Sequence, residues 1–475
     1  MTGPVILCVN HWHDDNKGDS AITQATLRLI RARWPSAMLR VVTAHEPDSP
    51  GADTALRHIR RAFPTIAGEP SLLPVETASR PPSLIRFLPK VMAHRLSAIY
   101  GAAVWILRLL PYLLALPVGP PRRVRTRLRD VDLVVAMGGS NLHDNPDVLA
   151  PFSVARLLVF LYPVWAAGRL GIPTVLFGHT LGPFPRRTAR RLARYMLREV
   201  QATQLREGRS RPAAAMLGLR EVSVGPDVAL ALTPDPSPRV HRILSELPEA
   251  AADSLVLVVR QHPHQPAAAN QRLLAEFASL ARGMLERAEV RQVLIVPQVL
   301  GPTGIEDDRP LSRELSAILQ GYLVHLIEDD LSPAELSALY GACRLVVSVR
   351  LHAAILAMVG GAPAFAIAYF TAKTQGVMEL CGFPHAWAPF DDATNATIEA
   401  QLPELLAPAT RGRLYHTVHD GRLLLAQEVG RWRLQPGAVL PEDPHDPSTR
   451  RPAQGLTFGL LPRSSGSSGG GRRDL

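Results

Sequence analysis

The amino-acid sequence predicts an α/β fold made of parallel sheets covered by helices. Short apolar runs alternate with amphipathic runs along most of the 475 residues. Runs such as Leu133–Met137 and Ala364–Ala368 are apolar throughout, which is typical of parallel strands buried on both faces. The stretches between them repeat their apolar residues with a helical period. This alternation of strand and helix patterns indicates parallel sheets.

The apolar runs predict a series of strands, most of them followed by a helix. In chain order the principal strands are Val5–Val9, Leu39–Thr43, Leu133–Met137, Thr174–Gly178, Leu255–Val259, Val293–Val296, Leu345–Ser348 and Ala364–Ala368. Helical patterns occupy Ala21–Arg33, Arg187–Glu199 and Leu273–Arg287. Another helix is predicted after Ser332, because this serine N-cap is followed by proline at the first helical position and by glutamate at the third.

A proline-rich break near Leu232–Arg239 divides the chain into two predicted domains. We predict an N-terminal Rossmann-like domain over residues 1–232 and a C-terminal Rossmann-like domain over residues 239–434. Residues 435–475 are rich in proline, serine, glycine and arginine, and they are predicted to form a disordered tail.

A strongly apolar segment interrupts the first domain at about residues 84–118. Its most apolar part is Ala98–Val118, which contains Arg108, Pro111 and Pro117 and has basic residues on both sides. A spanning helix needs about 20 apolar residues with few charges. Three interpretations therefore stay open: a membrane span, a helix that lies on a membrane surface, or a buried helical insertion.

The chain has a formal charge of +10, from 52 lysines and arginines against 42 aspartates and glutamates. This excess suits phosphorylated or carboxylated ligands, or an anionic membrane face. Aromatic residues make up only 5% of the chain, which argues against a surface that stacks single-stranded nucleic acid. We therefore predict no nucleic-acid partner.

The cysteines and the first residues bear on the compartment. Cys8, Cys343 and Cys381 lie far apart beside apolar residues, so they form neither a disulfide framework nor a zinc-binding pattern. The sequence starts with a strand pattern and lacks the features of a signal peptide. We predict a cytoplasmic protein.

The first candidate motif, Asn16 to Asp19, follows the first strand and opens a helix. Backbone amides at a helix N-terminus can donate to an anion or a sugar hydroxyl, and Gly18 would let a ligand approach. Asp19 can accept from a hydroxyl or act as a base. The alternative is that Asp19 or Ser20 only caps the helix.

Two glycine-containing stretches follow later strands, at Gly138-Gly139-Ser140 and at Gly178-His179. Open α/β sheets bind ligands outside the carboxyl ends of their strands. Gly139, Ser140 and His179 are therefore candidate binding residues. A tight turn and a structural histidine are the alternatives.

Basic side chains follow three further strands. Arginine presents a planar fork that matches carboxylate or phosphate, so Arg206 and Arg350 are candidate anion ligands, although Arg206 could instead pair with Glu207. His352 opens the next helix and is a candidate acid–base group. Lys373, which is one of only three lysines, is a candidate phosphate contact beyond the last strand.

In their order and spacing, these motifs resemble those of the polysaccharide pyruvyl transferase family. The likeness runs from roughly Val5 to Gly382, and Arg350-Leu351-His352 is its most specific part. The other matching residues are Asn16-Lys17-Gly18-Asp19, Gly138-Gly139, Gly178 to Pro183, Arg206-Glu207 with Ser210, Asp227, Arg260, and the series from Ser332 to Tyr369 with Lys373.

The resemblance implies a fold like that of B-type glycosyltransferases (GT-B), in which two Rossmann-like domains face each other across a cleft. It also implies transfer of pyruvate from phosphoenolpyruvate to two hydroxyls of one sugar, forming a cyclic ketal without a metal or another cofactor. The acceptor would be a saccharide or a lipid-linked saccharide. If the apolar insertion touches a membrane, the acceptor would be a lipid-linked saccharide assembled on the inner leaflet.

The resemblance assigns roles to individual residues. Arg206, Arg350, Lys373 and His352 would bind the donor, and the two arginines would clamp its carboxylate and phosphate. His352, Arg350 and Asp19 would be catalytic, with His352 as the acid or phosphate partner and Asp19 as the base. The acceptor would contact Asn16, Asp19, Gly139, Ser140 and His179.

Two positions depart from the family pattern. Ser140 stands where a third glycine is frequent, and His179 stands where glutamine is common. A glycosyltransferase of the same fold that uses a nucleotide sugar is the main alternative. A non-catalytic glycan-binding protein is a third possibility.

Overall fold

The structure, a computed structural model, describes residues 3–46, 51–75, 90–146, 148–261, 267–302, 306–369 and 371–435. The predicted tail at 435–475 therefore lies outside the described residues except for its first position. Residues 84–89 of the predicted insertion also lie outside them.

The first sheet has seven parallel strands in the order β3-β2-β1-β4-β5-β6-β7. They are β1 (Val5–His11), β2 (Met38–Thr43), β3 (Ala67–Glu69), β4 (Leu133–Leu142), β5 (Thr174–Leu181), β6 (Ala202–Leu205) and β7 (Val222–Val224). Central strands such as β4 are almost fully buried, which explains their continuous apolar character.

The second sheet has six parallel strands in the order β10-β9-β8-β11-β12-β13. They are β8 (Ser254–Val258), β9 (Gln292–Ile295), β10 (Val324–Leu326), β11 (Leu345–Ser348), β12 (Ala364–Ala368) and β13 (Trp387–Pro389). In both sheets the order reverses beside the first strand, which is the Rossmann arrangement. The predicted fold of two Rossmann-like α/β domains is confirmed.

Helices cover both sheets. They are α1 (Lys17–Arg33), α2 (Arg57–Ala62), α3 (Lys90–Ala115), α4 (Arg122–Arg127), α5 (Ala150–Arg169), α6 (Arg187–Met196), α7 (Arg211–Leu217), α8 (Pro238–Ser245), α9 (Ala267–Glu286), α10 (Arg309–Ile318), α11 (Pro333–Gly341), α12 (Leu351–Gly360), α13 (Thr371–Leu380), α14 (Asn395–Glu399), α15 (Leu402–Leu405) and α16 (Pro408–Gly430). At the start of α11, Ser332 and Glu335 form the predicted capping box.

The two glycine-containing stretches that were predicted to follow strands are in fact part of those strands. β4 continues through Gly138–Ser140 to Leu142, and β5 continues through Gly178 and His179 to Leu181. A Cβ at Gly138 would lie only 2.1 Å from the carbonyl oxygen of Gly178, so glycine is needed where these strands approach. The glycines therefore serve strand packing as well as the sheet edge.

The final helix returns to the first sheet. The guanidinium of Arg422 in α16 donates to the carbonyls of Leu230 and Leu232, and the ring of Trp432 packs edge-on against Phe177 with centroids 4.8 Å apart. This part of the chain lies within the predicted range 239–434 of the C-terminal domain. It therefore contacts the N-terminal domain and ties the two halves together.

Helix α3 forms the described part of the apolar insertion. Leu109, Tyr112 and Leu116 are buried on one side in the core that also contains α5. By length and composition, one helix among the described residues could cross a membrane, and it is α5 rather than α3. In α5, 72% of the apolar window is buried inside the protein, as in the core helix of a globular domain.

Candidate active site

A cavity of about 420 Å³ opens where the carboxyl ends of the two sheets face each other. Eight of the nine predicted site residues line it; they are Asn16, Asp19, Gly139, Ser140, Arg206, Arg350, His352 and Lys373. The remaining lining residues are Trp12, Asn141, His143, Asn145, Arg156, Phe160, Arg260, Gln298, Glu306, Leu351 and Tyr369. Both domains therefore contribute to one site.

Arg206 follows β6 and is almost completely buried. It lies in the side of the cavity that the first domain forms, which we call the first wall. Its Nη1 donates to Asp227 at 2.9 Å, its Nη2 to the Ser140 hydroxyl at 2.8 Å and its Nε to the Thr180 hydroxyl at 2.9 Å. The alternative ion pair with Glu207 does not form, because that carboxylate accepts from Ser210 instead. Each nitrogen of Arg206 is thus bound to the protein.

Asp227 is the buried counter-ion of Arg206. Although burial raises the pKa of this carboxyl, the charge of Arg206 and the nearby His352 imidazole outweigh burial and hold that pKa well below its usual value. The amide of Ala229 also donates to it at 2.9 Å. The Asp227 carboxylate therefore stays charged throughout the physiological range.

Arg350 occupies the corresponding place in the second domain, two residues after β11. Its Nε and Nη2 donate to Asp308 at 3.0 and 2.5 Å, and Nη2 also donates to the Glu306 carbonyl at 3.0 Å. Within the described part of the chain, its Nη1 makes no hydrogen bond. Arg350 therefore retains donors for a ligand in the cavity.

A third arginine follows β8. The guanidinium carbon of Arg260 lies 4.1 Å from the ring centroid of Tyr369, and the Lys373 ammonium lies 5.4 Å from the same ring. Burial raises the pKa of the Tyr369 phenol, but the charges of Lys373, Arg260 and Arg350 outweigh it and lower that pKa from 10.0 to about 7. The side of the cavity that the second domain forms, which we call the second wall, is thus strongly cationic.

Asp19 faces this cationic wall from the first domain. Its carboxylate accepts from the Asn16 side chain at 2.9 Å, so Asn16 orients it. Burial and the charge of Glu306 raise the pKa of Asp19 from 3.8 to about 6, against the opposing charges of Arg206, Lys373 and Arg350. A carboxylate with such a pKa is suited to accept a proton near neutrality. The helix cap is Asn16, so neither Asp19 nor Ser20 has that role.

His352 crosses the cleft from the start of α12. A Cβ at Gly18 would lie only 2.4 Å from its Nδ1, so this glycine makes room for the imidazole rather than for a ligand alone. Burial lowers the pKa of His352, and Asp227, whose Oδ2 lies 3.7 Å from Nε2, opposes that shift. The ring is therefore neutral near pH 7, and a bound phosphate would raise its pKa.

His179 is the one predicted site residue that does not reach the cavity. It is fully buried within β5, and its Nε2 lies 3.0 Å from the carbonyl of Ala136 on β4. Burial lowers its pKa to about 4, so it is neutral. The prediction that His179 contacts the acceptor is wrong for this reason, and the structural alternative holds.

Lys17 lies beside the site but serves the junction between the domains. Its ammonium contacts Asp330 of the second domain at 2.5 Å, His58 at 2.9 Å and the Asp14 carbonyl at 3.2 Å. Arg57 also binds Asp330. Lys17 is almost completely buried, and three partners around one point suit its compact ammonium better than a planar guanidinium.

The sequence did not assign a role to several residues of the cavity. Arg260 matches the family pattern but was given no role, although it follows a strand as Arg206 and Arg350 do. Glu306 and Arg156 carry no local signal, since one lies in a loop and the other on α5. Among the described residues, no group of three or more histidine, cysteine, aspartate or glutamate side chains is arranged to hold a metal.

Comparisons with known proteins agree on a family and a fold. A family model described as "Polysaccharide pyruvyl transferase" matches residues 16–369. The chain is 26% identical over 293 residues to the amylovoran biosynthesis protein AmsJ of Erwinia amylovora; the alignment covers 59% of this chain and 66% of that relative, which is just under two thirds.

A solved structure of UDP-GlcNAc 2-epimerase from Neisseria meningitidis, bound to UDP-GlcNAc, is similar over 90% of this chain and 100% of that chain. The TM-score is 0.50 and the sequence identity is 13%, so this likeness concerns the fold alone. It agrees with two Rossmann-like domains in a GT-B-like arrangement.

Proposed function

Since the chain belongs to the polysaccharide pyruvyl transferase family, we propose that it transfers pyruvate from phosphoenolpyruvate to a saccharide and closes a cyclic ketal. The family makes it a transferase of polysaccharide biosynthesis. The donor, the ketal and a role in cell-surface or exopolysaccharide synthesis are the proposed part.

The observation that carries the proposal is the charge of the cavity. Among the described residues, five permanently or usually cationic side chains line it against two carboxylates; the cations are Arg156, Arg206, Arg260, Arg350 and Lys373, and the carboxylates are Asp19 and Glu306. Phosphoenolpyruvate carries a carboxylate and a phosphate on a small skeleton. A cavity of about 420 Å³ with this excess of positive charge suits such a ligand together with one sugar unit.

The donor is proposed to lie against the second wall. Arg350 offers its Nη1, which makes no hydrogen bond among the described residues, and Lys373 and Arg260 add positive charge next to Tyr369. Charge-assisted hydrogen bonds of this type contribute about 1.5–3 kcal/mol each. Arg206, with its three nitrogens bound, acts on the donor chiefly through its charge.

The reaction needs one acid and one base. Carbon 3 of the donor takes a proton, which makes carbon 2 electrophilic, and a sugar hydroxyl then attacks carbon 2 and gives up its own proton. We assign the acid to His352, whose pKa rises when phosphate binds beside it. We assign the base to Asp19, whose pKa of about 6 keeps it ionised at neutral pH. The second hydroxyl displaces phosphate, passes its proton to the leaving phosphate and closes the ring.

The acceptor is proposed to lie against the first wall, where Asn16, Gly139 and Ser140 line the cavity. This leaves both a free saccharide and a lipid-linked saccharide as acceptors.

We propose that the protein is located in the cytoplasm. Three buried cysteines, Cys8, Cys343 and Cys381, are free thiols, which suits this reducing compartment.

A two-part experiment tests the donor. The protein is titrated with phosphoenolpyruvate and, separately, with uridine and guanosine diphosphate sugars, and heat protection is measured. It is then incubated with phosphoenolpyruvate and candidate saccharides, and phosphate release and the mass of the product are followed.

We expect protection by phosphoenolpyruvate and a product that is heavier by one pyruvyl ketal. Arg350→Ala should lose both signals, whereas Arg309→Ala, which removes an arginine outside the cavity, should keep them. Protection by a nucleotide sugar alone would favour the glycosyltransferase alternative. Unchanged function of Arg350→Ala in cells would favour a non-catalytic glycan-binding protein.

A further inference from the structure

Helix α3 is apolar on two opposite faces, which is unusual for a helix at the surface of a globular protein. One face packs into the core through Leu109 and Tyr112, and Leu116 directly after the helix continues this contact. The opposite face carries Met92, Leu96, Ala103, Leu107, Leu110 and Leu114, and all six are exposed. Their spacing of three, four or seven residues places them on one stripe of the helix.

The exposure of this stripe is large. The side chain of Leu107 is 65% exposed and that of Leu114 is 68% exposed. A surface helix normally presents charged and polar residues to water, and a contiguous exposed apolar surface marks a binding site. The six residues, which we call the apolar stripe, therefore need a partner that removes them from water.

The charge around the apolar stripe indicates which partner fits. Residues 90–129 contain no aspartate or glutamate, but they contain seven arginines and one lysine. On α4, Arg122, Arg123 and Arg125 are exposed, and Arg123 lies over the ring of Tyr112 at 4.7 Å, next to α3. The C-terminal end of α3 thus has a basic helix beside it.

A second basic helix adjoins the same end of α3. The Tyr195 hydroxyl of α6 donates to the Leu116 carbonyl at 2.9 Å, and α6 presents exposed arginines at 187, 191 and 194. An apolar helix face with arginines on neighbouring helices matches the interface of a bilayer that contains anionic lipids.

We propose that the apolar stripe docks on the surface of an anionic membrane, with α3 lying in the interface and the arginines of α4 and α6 among the headgroups. The helix does not cross the bilayer, because its other face is part of the protein core. Docking of this kind would bring the cavity close to an acceptor in the membrane. The proposal does not depend on the identity of the donor, and vesicle binding tests it directly.

The test is flotation of the full chain with vesicles of phosphatidylethanolamine and phosphatidylglycerol, and with vesicles of phosphatidylcholine alone. We expect binding to the anionic vesicles that weakens as salt is raised, because exposed charges are screened. The variant Leu107→Glu/Leu114→Glu should lower the partition coefficient at least about 100-fold, since it places two carboxylates in the apolar stripe.

The matched control is Leu423→Glu/Leu424→Glu on α16, two exposed leucines far from α3 in sequence, which should bind vesicles as the wild type does. Both variants should keep the heat protection by phosphoenolpyruvate. Wild-type protein that stays unbound, or a Leu107→Glu/Leu114→Glu variant that floats normally, would overturn the proposal. So would a wild-type dimer that this variant dissociates, because the stripe would then be an interface between two copies.

Discussion

Arg206 and Arg350 occupy equivalent places in the two sheets, each just beyond a buried strand and each paired with a buried aspartate, yet they are held differently. All three nitrogens of Arg206 donate to the first domain. Arg350 uses Nε and Nη2 for Asp308 and the Glu306 carbonyl and leaves Nη1 without a hydrogen bond among the described residues. One arginine is built into its wall, and the other still has a donor to offer.

The two aspartates differ in the same sense. Arg206 and His352 hold the pKa of Asp227 well below its usual value, whereas burial raises the pKa of Asp308 despite the charge of Arg350. Asp227 must stay charged, and Asp308 can take up a proton. The comparison indicates that the ion pair of Arg206 with Asp227 stabilises the first domain, whereas Arg350 of the second domain can bind a ligand.

The largest expected effect is on stability. Arg206→Ala should lower the free energy of unfolding by about 3–5 kcal/mol at pH 7, because it leaves Asp227 charged, buried and unpaired. Arg350→Ala should cost only about 1–2 kcal/mol, because Asp308 can be protonated. Urea denaturation at pH 7 measures both values, and equal losses would end the distinction between the two walls.

The loss of stability in Arg206→Ala should depend on pH, because it involves the ionisation of Asp227. The folded-state pKa of Asp227 is depressed, so its contribution to stability is present above its unfolded pKa and is lost as pH falls below it. Without Arg206, Asp227 takes up a proton more easily. The deficit of Arg206→Ala should therefore be largest at neutral pH and shrink in acid, and a deficit that does not vary with pH would contradict this account.

The next effect concerns donor binding. Arg350→Lys keeps the charge but loses the planar fork, so kcat/KM for phosphoenolpyruvate should fall about 10- to 100-fold, mainly through KM. Phosphate release at varied donor concentration measures the change. Arg309→Lys, at an ion pair outside the cavity, is the matched control and should be near normal. If Arg350→Lys also turned over normally, Arg350 would not be a donor ligand.

A third effect is on the acid side of the pH–rate profile. The pKa of Asp19 is raised to about 6, so kcat/KM should rise with pH through about 6 as the base loses its proton. Asp19→Asn should remove this limb and lower the rate. Arg206→Lys and Arg350→Lys keep a positive charge and should move the limb little, whereas Arg350→Met should move it to higher pH.

Asp19→Asn should also change stability and activity in opposite directions. Holding a carboxylate there with a raised pKa opposes folding above its unfolded pKa, so the amide should raise the melting temperature while activity falls. A differential scan of wild type and variant at pH 7 checks this. A variant that is both less stable and inactive would indicate a structural role for Asp19 instead.

The smallest expected effect belongs to Tyr369. Its pKa is lowered to about 7, so the phenol loses its proton as pH rises through that value and the phenolate then repels an anionic donor. Activity should therefore decline above about pH 7, and Tyr369→Phe should abolish that decline while lowering kcat/KM only several-fold. An alkaline limb that persists in Tyr369→Phe must come from another group.

The sequence by itself determined the layered α/β architecture, because buried parallel strands are apolar along their whole length and helices between them are amphipathic. Eight of the nine predicted site residues line one cavity, since parallel strands deliver whatever follows them to one edge of the sheet. The capping box at Ser332 and the family resemblance likewise depend only on short, ordered patterns.

Only the tertiary structure decided how these residues are used. Asp227 and Asp308 lie 21 and 42 positions from their arginines, so no local pattern pairs them. His179 follows the same rule as the other site residues, but β5 continues past it and turns its ring into the sheet. The ion pairs, the full length of the strands and the contact of Gly18 with His352 all depend on interactions between distant segments. A sequence pattern records only what lies within one segment.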